Sequence, residues 1–146
     1  AGVPVCADES ARSLEDAVRI IKAKAAPVIN IKLMKSGLFQ ARDIAVVAKA
    51  NGIELMIGEM MESNISSMAA AHLASGLGGF KYVDLDTPFF IKDEVGKNRY
   101  LSSKGVYDLS KVKKGIGFED YSQETLYLSS IPGMKKSIQQ GLKFSI

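Results

Sequence analysis

Ionisable side chains recur at four places in this sequence, each at or just after the end of a short apolar run. They are Asp8 with Glu9, Lys32, Glu59 with Glu62, and Asp84 with Asp86. Carboxylates and lysines are groups that bind cations and move protons in enzymes. Each residue alone could be a solvated loop charge, but a random scatter of charges would not collect at these points. Together they predict a site.

The elements that must position these residues are four evenly spaced apolar runs, which we predict to be β-strands. The runs cover residues 3–7, 28–33, 53–57 and 82–85. Helical patterns separate them: the first begins at a capping box of Ser13 and Asp16, the second ends at Asn51 and Gly52, and the third ends near Gly76. Strands that alternate with helices predict parallel strands joined by right-handed crossovers.

Within the second strand, apolar and polar residues alternate. Ile29 and Ile31 share one face, and Asn30 and Lys32 share the other. One apolar face favours a barrel, because strands in a doubly wound sheet are covered by helices on both sides. A complete barrel of eight such units needs ~250 residues, whereas this chain of 146 residues supplies four units. Beyond these units we predict short strands at 98–101 and 106–109, a turn at 115–117 and a terminal helix at 134–140.

Composition excludes several classes of protein. The chain is 47% hydrophobic and 24% charged, so a disordered protein is not expected. No apolar run is long enough for a membrane span, and a net charge of +3 is too weak for a nucleic-acid surface. A single cysteine excludes an internal disulfide and suits a reducing, cytoplasmic compartment. The chain begins with Ala1 rather than Met, which suggests that an upstream part has been removed.

Four segments of the sequence resemble the enolase superfamily. VCADES at 5–10, INIKLMK at 29–35, IGEMMES at 57–63 and DLDTP at 84–88 occur in the order of its strand ends. More narrowly, they are similar to its muconate lactonizing enzyme branch, and most of all to the dipeptide epimerases of the alanine/glutamate type. The resemblance covers roughly residues 3–90. It implies an α/β fold in which residues 1–90 are strands five to eight of a (β/α)7β TIM-like barrel. Residues 91–146 would then contact the barrel and a missing α+β capping domain.

The resemblance also implies roles for individual residues. Asp8 would be a ligand of a catalytic Mg²⁺, and Glu9 would support it without binding the metal. Lys32 would be the catalytic acid/base, with its pKa lowered by the nearby cation. Lys35, three residues later, is expected to be an exposed loop residue. The family usually continues with two glycines after this lysine, and here Ser36 and Gly37 follow.

The substrate side of the site is implied by the last two segments. Asp84 and Asp86, two residues apart on a strand, would point to one side and hold the free α-ammonium group of a dipeptide. A metal site or simple loop capping are the alternatives for this pair. Glu59 and Met61 would border the substrate side chain. We hypothesise that Glu59 favours a cationic or polar side chain, because it would repel an acidic one.

The function implied is that of an isomerase, a Mg²⁺-dependent dipeptide epimerase. Lysine acid/base chemistry would move the α-proton through a metal-stabilised enolate. The reaction needs a second lysine and two more carboxylates, so we expect an N-terminal half of the same enzyme, as a separate chain or a missing segment. An oligomer is expected, with no nucleic-acid or membrane partner. The alternatives are another enzyme of the branch, such as a succinylbenzoate synthase or a cycloisomerase, and a non-catalytic half-barrel that self-associates. Asp84 and Asp86 argue against the other enzymes.

Overall fold

A computed structural model describes residues 2–91 and 99–117 of the chain. Strands and helices alternate in it as predicted. Their bounds are β1 (Cys6–Ala7), α1 (Leu14–Ala23), β2 (Val28–Lys32), α2 (Leu33–Ala50), β3 (Glu54–Gly58), α3 (Asn64–Leu77) and β4 (Phe80–Asp84). Two 3₁₀ turns follow, at Thr87–Phe89 and Leu109–Lys111. The predicted helix at 134–140 lies outside the described residues.

The four strands form one parallel sheet in the order β1-β2-β3-β4. Because sequential strands are neighbours and right-handed crossovers all turn the same way, the helices gather on one side of the sheet. Accordingly, α1 packs on α2 and α2 packs on α3. The carboxyl ends of all four strands therefore open at one edge, where loops meet and where active sites of such folds lie.

The core lies between the sheet and its helices. Ile29, Ile31 and Ile57 point from the strands into it and are at most 2% exposed. Small side chains of α2, such as Ala41 and Ala45, are fully buried against them and let the helix approach the sheet closely. The predicted alternation of β2 is thus confirmed on its apolar side.

Local signals set the ends of the helices. At the start of α1, Ser13 Oγ accepts from Asp16 N at 3.2 Å, and Asp16 Oδ2 accepts from Ser13 N at 3.1 Å. This is the predicted capping box. After α2, Gly52 takes the left-handed conformation with φ of 72°, which L side chains rarely adopt.

The structure corrects the predicted extent of the outer strands. The first strand is reduced to Cys6–Ala7, and Val3 and Val5 before it are 75% and 64% exposed. In β4, Val83 pairs in register with the buried Ile57, yet it is 62% exposed. The reason is that β1 and β4 are the two edges of the sheet, and no α-helix in the described part of the chain follows β4 to cover it.

The region after β4 holds less sheet than expected. The predicted strands at 98–101 and 106–109 are reduced, over the described positions, to one antiparallel bridge between Leu101 and Tyr107. Tyr107 fastens this loop to the sheet, because its hydroxyl donates to Leu85 O at 2.9 Å. The predicted turn at 115–117 is present, closed by Gly117 N donating to Lys114 O at 3.1 Å. Among the described residues, no helix combines the length and apolarity that a membrane span requires.

Candidate active site

One row of residues crosses the carboxyl edge of the sheet. Lys32 ends β2, Gly58 ends β3 and Asp84 ends β4, and they are paired in register as Lys32 with Gly58 and Gly58 with Asp84. Partners in register lie on the same face of a parallel sheet. Since Gly58 has no side chain, nothing from β3 stands between the lysine and the aspartate in this row.

A β-bulge brings Asp84 into the row. Leu55 pairs with Phe80, but the next residue of β3, Met56, pairs with Tyr82, so Lys81 is the extra residue of β4. Without this shift, Val83 would stand beside Gly58. A shift of one residue exchanges the two faces of a strand, so the bulge determines that an acid lies at this position.

The carboxylate of Asp8 contacts three side chains of the site. Its Oδ2 accepts from Asn30 Nδ2 at 3.0 Å and lies 2.9 Å from Lys32 Nζ. Its Oδ1 accepts from Lys35 Nζ at 2.9 Å. Glu9 is more remote, with Oε1 3.8 Å from Lys32 Nζ. The structure therefore brings Asp8, Glu9 and Lys32 together, as the sequence predicts.

Lys35 corrects an expectation. It was predicted to be an exposed loop residue, but its side chain is 1% exposed and lies under the end of β1. The reason is a break in α2: Gly37 has φ of 68° and ψ of 174°, so the turn before it is not aligned with the rest of the helix. Lys35 belongs to that turn, which follows β2 directly and points its ammonium group inward.

The charges of this cluster shift one another's pKa values. Partial burial alone would raise the pKa of Asp8, but hydrogen bonds from Lys35, Lys32 and Asn30 outweigh it and hold the pKa below its ordinary value. The pKa of Lys32 is raised, chiefly by its hydrogen bond to Asp8, with Glu9 and Asp84 adding to the effect against partial burial. The described residues that raise this pKa are carboxylates, and the lowering predicted from a nearby cation stays a prediction.

Glu59 and Glu62 are bonded within the chain rather than pointed into open space. Glu59 Oε2 accepts from Ser67 Oγ at 2.5 Å, and its Oε1 accepts from Thr87 N at 2.8 Å. Burial raises the pKa of Glu59, although these hydrogen bonds oppose the shift. Glu59 thus ties the end of β3 to α3 and to the turn after β4.

Glu62 is 3% exposed and serves the start of α2. Its Oε1 accepts from Met60 N at 3.1 Å and from Met34 N at 3.4 Å, and its Oε2 accepts from Ser66 Oγ. A carboxylate near the first N–H groups of a helix satisfies donors that have no partner inside the helix. Glu62 therefore holds the turn that carries Lys35.

The predicted substrate residues lie at an open edge. Asp84 and Asp86 are exposed, and neither carboxylate has a hydrogen bond or ion pair within residues 2–91 and 99–117. Only Asp84 is in the strand; Asp86 has φ of −105° and ψ of −5° and begins the 3₁₀ turn. Strand alternation therefore does not place both on one side, which corrects the argument from their spacing. Met61, which follows β3, is 66% exposed.

The described residues do not by themselves hold a metal ion. No group of three or more His, Cys, Asp or Glu suited to a metal occurs within the described ranges. Asp8 nevertheless fits the role of one ligand, because its side chain is 28% exposed and its carboxylate lies at the carboxyl edge of the sheet. A hard cation such as Mg²⁺ takes about six oxygen ligands, so the others must come from outside these residues.

Three residues of the site were not predicted to act in it: Lys35, Gly58 and Asn30. Asn30 is 3% exposed, and a Cβ atom on Gly58 would lie 2.8 Å from its Oδ1. The signal available in the sequence was the polar position of Asn30 on the face of Lys32. No comparable signal pointed to Lys35, because a lysine after a strand end is usually solvated.

Comparison with known proteins agrees with this geometry. A family model described as "Enolase C-terminal domain-like" matches residues 1–122. The chain belongs to this family. Within it, the chain is similar to the hydrophobic dipeptide epimerase of Citrifermentans bemidjiense, with 49% identity over 115 residues, or 79% of this chain and 31% of that protein. It therefore spans about a third of the length of this curated relative.

Solved structures of family members agree. A mandelate racemase/muconate lactonizing enzyme from Roseiflexus sp. superposes with a TM-score of 0.76 at 44% identity, covering 80% of this chain and 34% of that one. A dipeptide epimerase from Methylococcus capsulatus, complexed with Mg and the dipeptide L-Arg-D-Lys, gives a TM-score of 0.64 at 40% identity. That match covers 68% of this chain and 29% of the other. The predicted superfamily is thus confirmed.

Proposed function

We propose that this chain supplies the C-terminal half of the active site of a Mg²⁺-dependent dipeptide epimerase. The observation that carries the proposal is the pairing of Lys32 Nζ with Asp8 Oδ2 at 2.9 Å, at the ends of neighbouring parallel strands. A lysine and a carboxylate so placed provide one proton-transferring group and one cation ligand. The similarity to dipeptide epimerases supports this reaction over others.

In this proposal Lys32 removes or returns the α-proton of the substrate. Its side chain is 13% exposed, so it is largely covered but still accessible at the carboxyl edge of the sheet. A bound Mg²⁺ would stabilise the negative charge that develops on the carboxylate next to the α-carbon. Asp8 would hold the metal, and Glu9 would add charge near it without binding.

Asp84 and Asp86 would bind the α-ammonium group of the dipeptide. Two exposed carboxylates at one edge attract a cation, and Asp84 lies in the same row as Lys32. Both ends of the substrate would thereby be held on either side of the reacting carbon. Met61 would border the substrate side chain. A contact between Glu59 and the substrate side chain stays a prediction. Because Glu59 is bonded to Ser67 and Thr87, it would influence the substrate through its charge from the side of the site.

We further propose that β1 to β4 are strands five to eight of a (β/α)7β barrel and that residues 91–146 pack on the barrel and on an α+β cap. The open edges at β1 and β4 support this, since an uncovered edge strand invites pairing with another strand. The first half of the barrel would supply the second lysine and the remaining metal ligands. Whether that half is a separate chain can be tested by mass spectrometry of the purified protein.

The decisive experiment follows the α-proton. The complete assembly, with Mg²⁺ and a panel of dipeptides in heavy water, is expected to incorporate deuterium at one α-carbon, as read by mass spectrometry or NMR. The Lys32→Met variant is expected to lose incorporation from one of the two epimers. Absence of exchange by the complete assembly across the whole panel would contradict the proposal and favour a non-catalytic protein or another reaction of the branch.

A further inference from the structure

We propose that Lys35 is a positioning residue that holds Asp8 by Oδ1, so that Oδ2, which also accepts from Asn30 Nδ2, is the oxygen that pairs with Lys32 and would bind a divalent cation. This inference rests on the proposed function, because it assigns the metal to Asp8. It divides two lysines of the same segment into two roles. Lys35 holds Asp8 in place, whereas Lys32 can move away from Asp8 when a cation binds.

The ammonium group of Lys35 uses all of its hydrogen-bond donors. An ammonium group has three N–H donors, and Lys35 Nζ uses them on Asp8 O at 2.7 Å, Asp8 Oδ1 at 2.9 Å and Asn30 O at 2.9 Å. Two of these acceptors belong to the residue after β1 and the third belongs to β2. Lys35 therefore fixes both the backbone and the carboxylate of Asp8 relative to the neighbouring strand.

Burial makes this arrangement hard to exchange. The Lys35 side chain is 1% exposed, so losing any of its three hydrogen bonds in this place would leave a buried charge without a partner, which is costly. All three N–H donors of Lys35 are used and its side chain is not accessible from the carboxyl edge of the sheet, so Lys35 is not suited to transfer a proton to a substrate. The side chain of Lys32 is 13% exposed and has one close partner, Asp8 Oδ2.

The turn that carries Lys35 is itself held from the opposite side. Glu62 accepts from Met34 N, and the break at Gly37 separates this turn from the rest of α2. The turn is thus fixed between the end of β1, through Lys35, and the loop after β3, through Glu62. The position of Asp8 is therefore set by the turn at the start of α2, which is held on both sides, and not only by the loop that contains Asp8.

The test compares Lys35→Met with Lys32→Met in the complete assembly. The two lysines are matched controls, because they lie three residues apart and both pair with Asp8. The readout is the dissociation constant for Mg²⁺ without dipeptide, measured by isothermal titration calorimetry, beside kcat and KM for exchange. Removing a positive charge near a cation site should by itself tighten Mg²⁺ binding, whereas losing the position of a ligand should weaken it.

We expect Lys35→Met to weaken Mg²⁺ binding by about 10-fold to 100-fold, the usual effect of removing a residue that orients a metal ligand. We expect Lys32→Met to leave Mg²⁺ binding unchanged or tighter while abolishing exchange from one epimer. Saturating Mg²⁺ should restore part of the kcat of Lys35→Met and none of that of Lys32→Met. If Lys35→Met does not fold, Lys35→Arg is expected to bind Mg²⁺ more weakly than the unmodified protein, because a guanidinium group cannot reproduce the three bonds.

Unchanged or tighter Mg²⁺ binding in Lys35→Met, or in Lys35→Arg where only that variant folds, would overturn the assignment. Loss of exchange from a single epimer in Lys35→Met with normal Mg²⁺ binding would also overturn it, since Lys35 would then be a catalytic base. These results are separable from the proposed function. If no dipeptide exchanges, the epimerase proposal fails, yet the comparison of Mg²⁺ binding between the two lysine variants still decides the role of Lys35.

Discussion

The ends of β2 and β4 differ in how far they are organised within this chain. At the end of β2, Lys32, Lys35 and Asn30 all converge on Asp8, and each makes a bond of 3.0 Å or less to its carboxylate. At the end of β4, Asp84 and Asp86 are exposed and make no side-chain bond among residues 2–91 and 99–117. Within the described part of the chain, β2 has a neighbouring strand on each side, whereas β4 has one neighbouring strand.

This difference suggests how the proposed site divides its tasks. Groups that transfer a proton or hold a metal must be placed to within a fraction of an ångström, and they lie where neighbouring strands and α2 restrain them. Groups that bind a flexible substrate by charge tolerate more freedom and lie at the open edge. The comparison leads to four predictions for the complete protein.

The largest effect is expected at the organised end. Lys32→Met should lower the rate of α-proton exchange by about 10²-fold to 10⁴-fold, the usual contribution of a general acid or base. Exposed Lys22 on α1 is the matched control, and Lys22→Met should leave the rate unchanged. Deuterium incorporation measures both. Equal rates for Lys32→Met and Lys22→Met would remove Lys32 from the chemistry.

Gly58→Ala should disturb the organised end without changing any charge. The new Cβ would lie 2.8 Å from Asn30 Oδ1, and Asn30 is the residue that donates to Asp8. Forcing an atom into such a packed place costs about 1–3 kcal/mol of unfolding free energy. Gly76 in α3 is the control: nothing lies within 4 Å of its added Cβ, so Gly76→Ala should be neutral or stabilising. Denaturant unfolding compares them, and equal stabilities would show that Asn30 can move.

At the open end, Asp84→Asn should affect binding rather than folding. We expect KM for a dipeptide to rise about 10-fold to 100-fold, because one charge-assisted hydrogen bond is worth about 1.5–3 kcal/mol. The unfolding free energy should hardly change, since the carboxylate is exposed and unpaired in the described residues. Steady-state kinetics tests the expected rise in KM, and thermal unfolding tests the expected constancy of the unfolding free energy. A large fall in melting temperature would show that the edge is organised after all.

The smallest effect is expected at Glu59, between the two regions. Burial raises the pKa of Glu59, so the folded protein binds more protons than the unfolded one between the ordinary and the raised value. The contribution of Glu59 to stability should therefore fall as pH rises through this window. Glu59→Gln lacks this titration, so its stability relative to the unmodified protein should increase over the same window.

Urea unfolding of Glu59→Gln and of the unmodified protein at several pH values measures this difference, and a constant difference would contradict it. The substrate hypothesis for Glu59 needs a separate test. If Glu59 repels an acidic side chain, Ala-Lys should turn over faster than Ala-Glu, and Glu59→Gln should reduce that preference. A clear preference of the unmodified protein for Ala-Glu would refute the hypothesis.

Much of the site could be predicted because it follows from local chemistry. The capping box at Ser13, the alternation of Ile29, Asn30 and Ile31, and the ionisable residues at strand ends are all visible in the sequence and present in the structure. Lys35 was missed because its burial depends on Asp8, a residue 27 positions away in sequence. The exposure of Val83 could not be predicted, because alternation indicates a face of the strand but not whether anything covers that face.

The sequence by itself determined that parallel strands alternate with helices and that an ionisable group lies at or just after the end of each strand. The tertiary structure alone decided which of these groups share a site. The bulge at Lys81 places Asp84, and not Val83, beside Gly58, and the break at Gly37 turns Lys35 inward. The physical reason is that side chains alternate every residue along a strand, so their final direction depends on pairing with another strand.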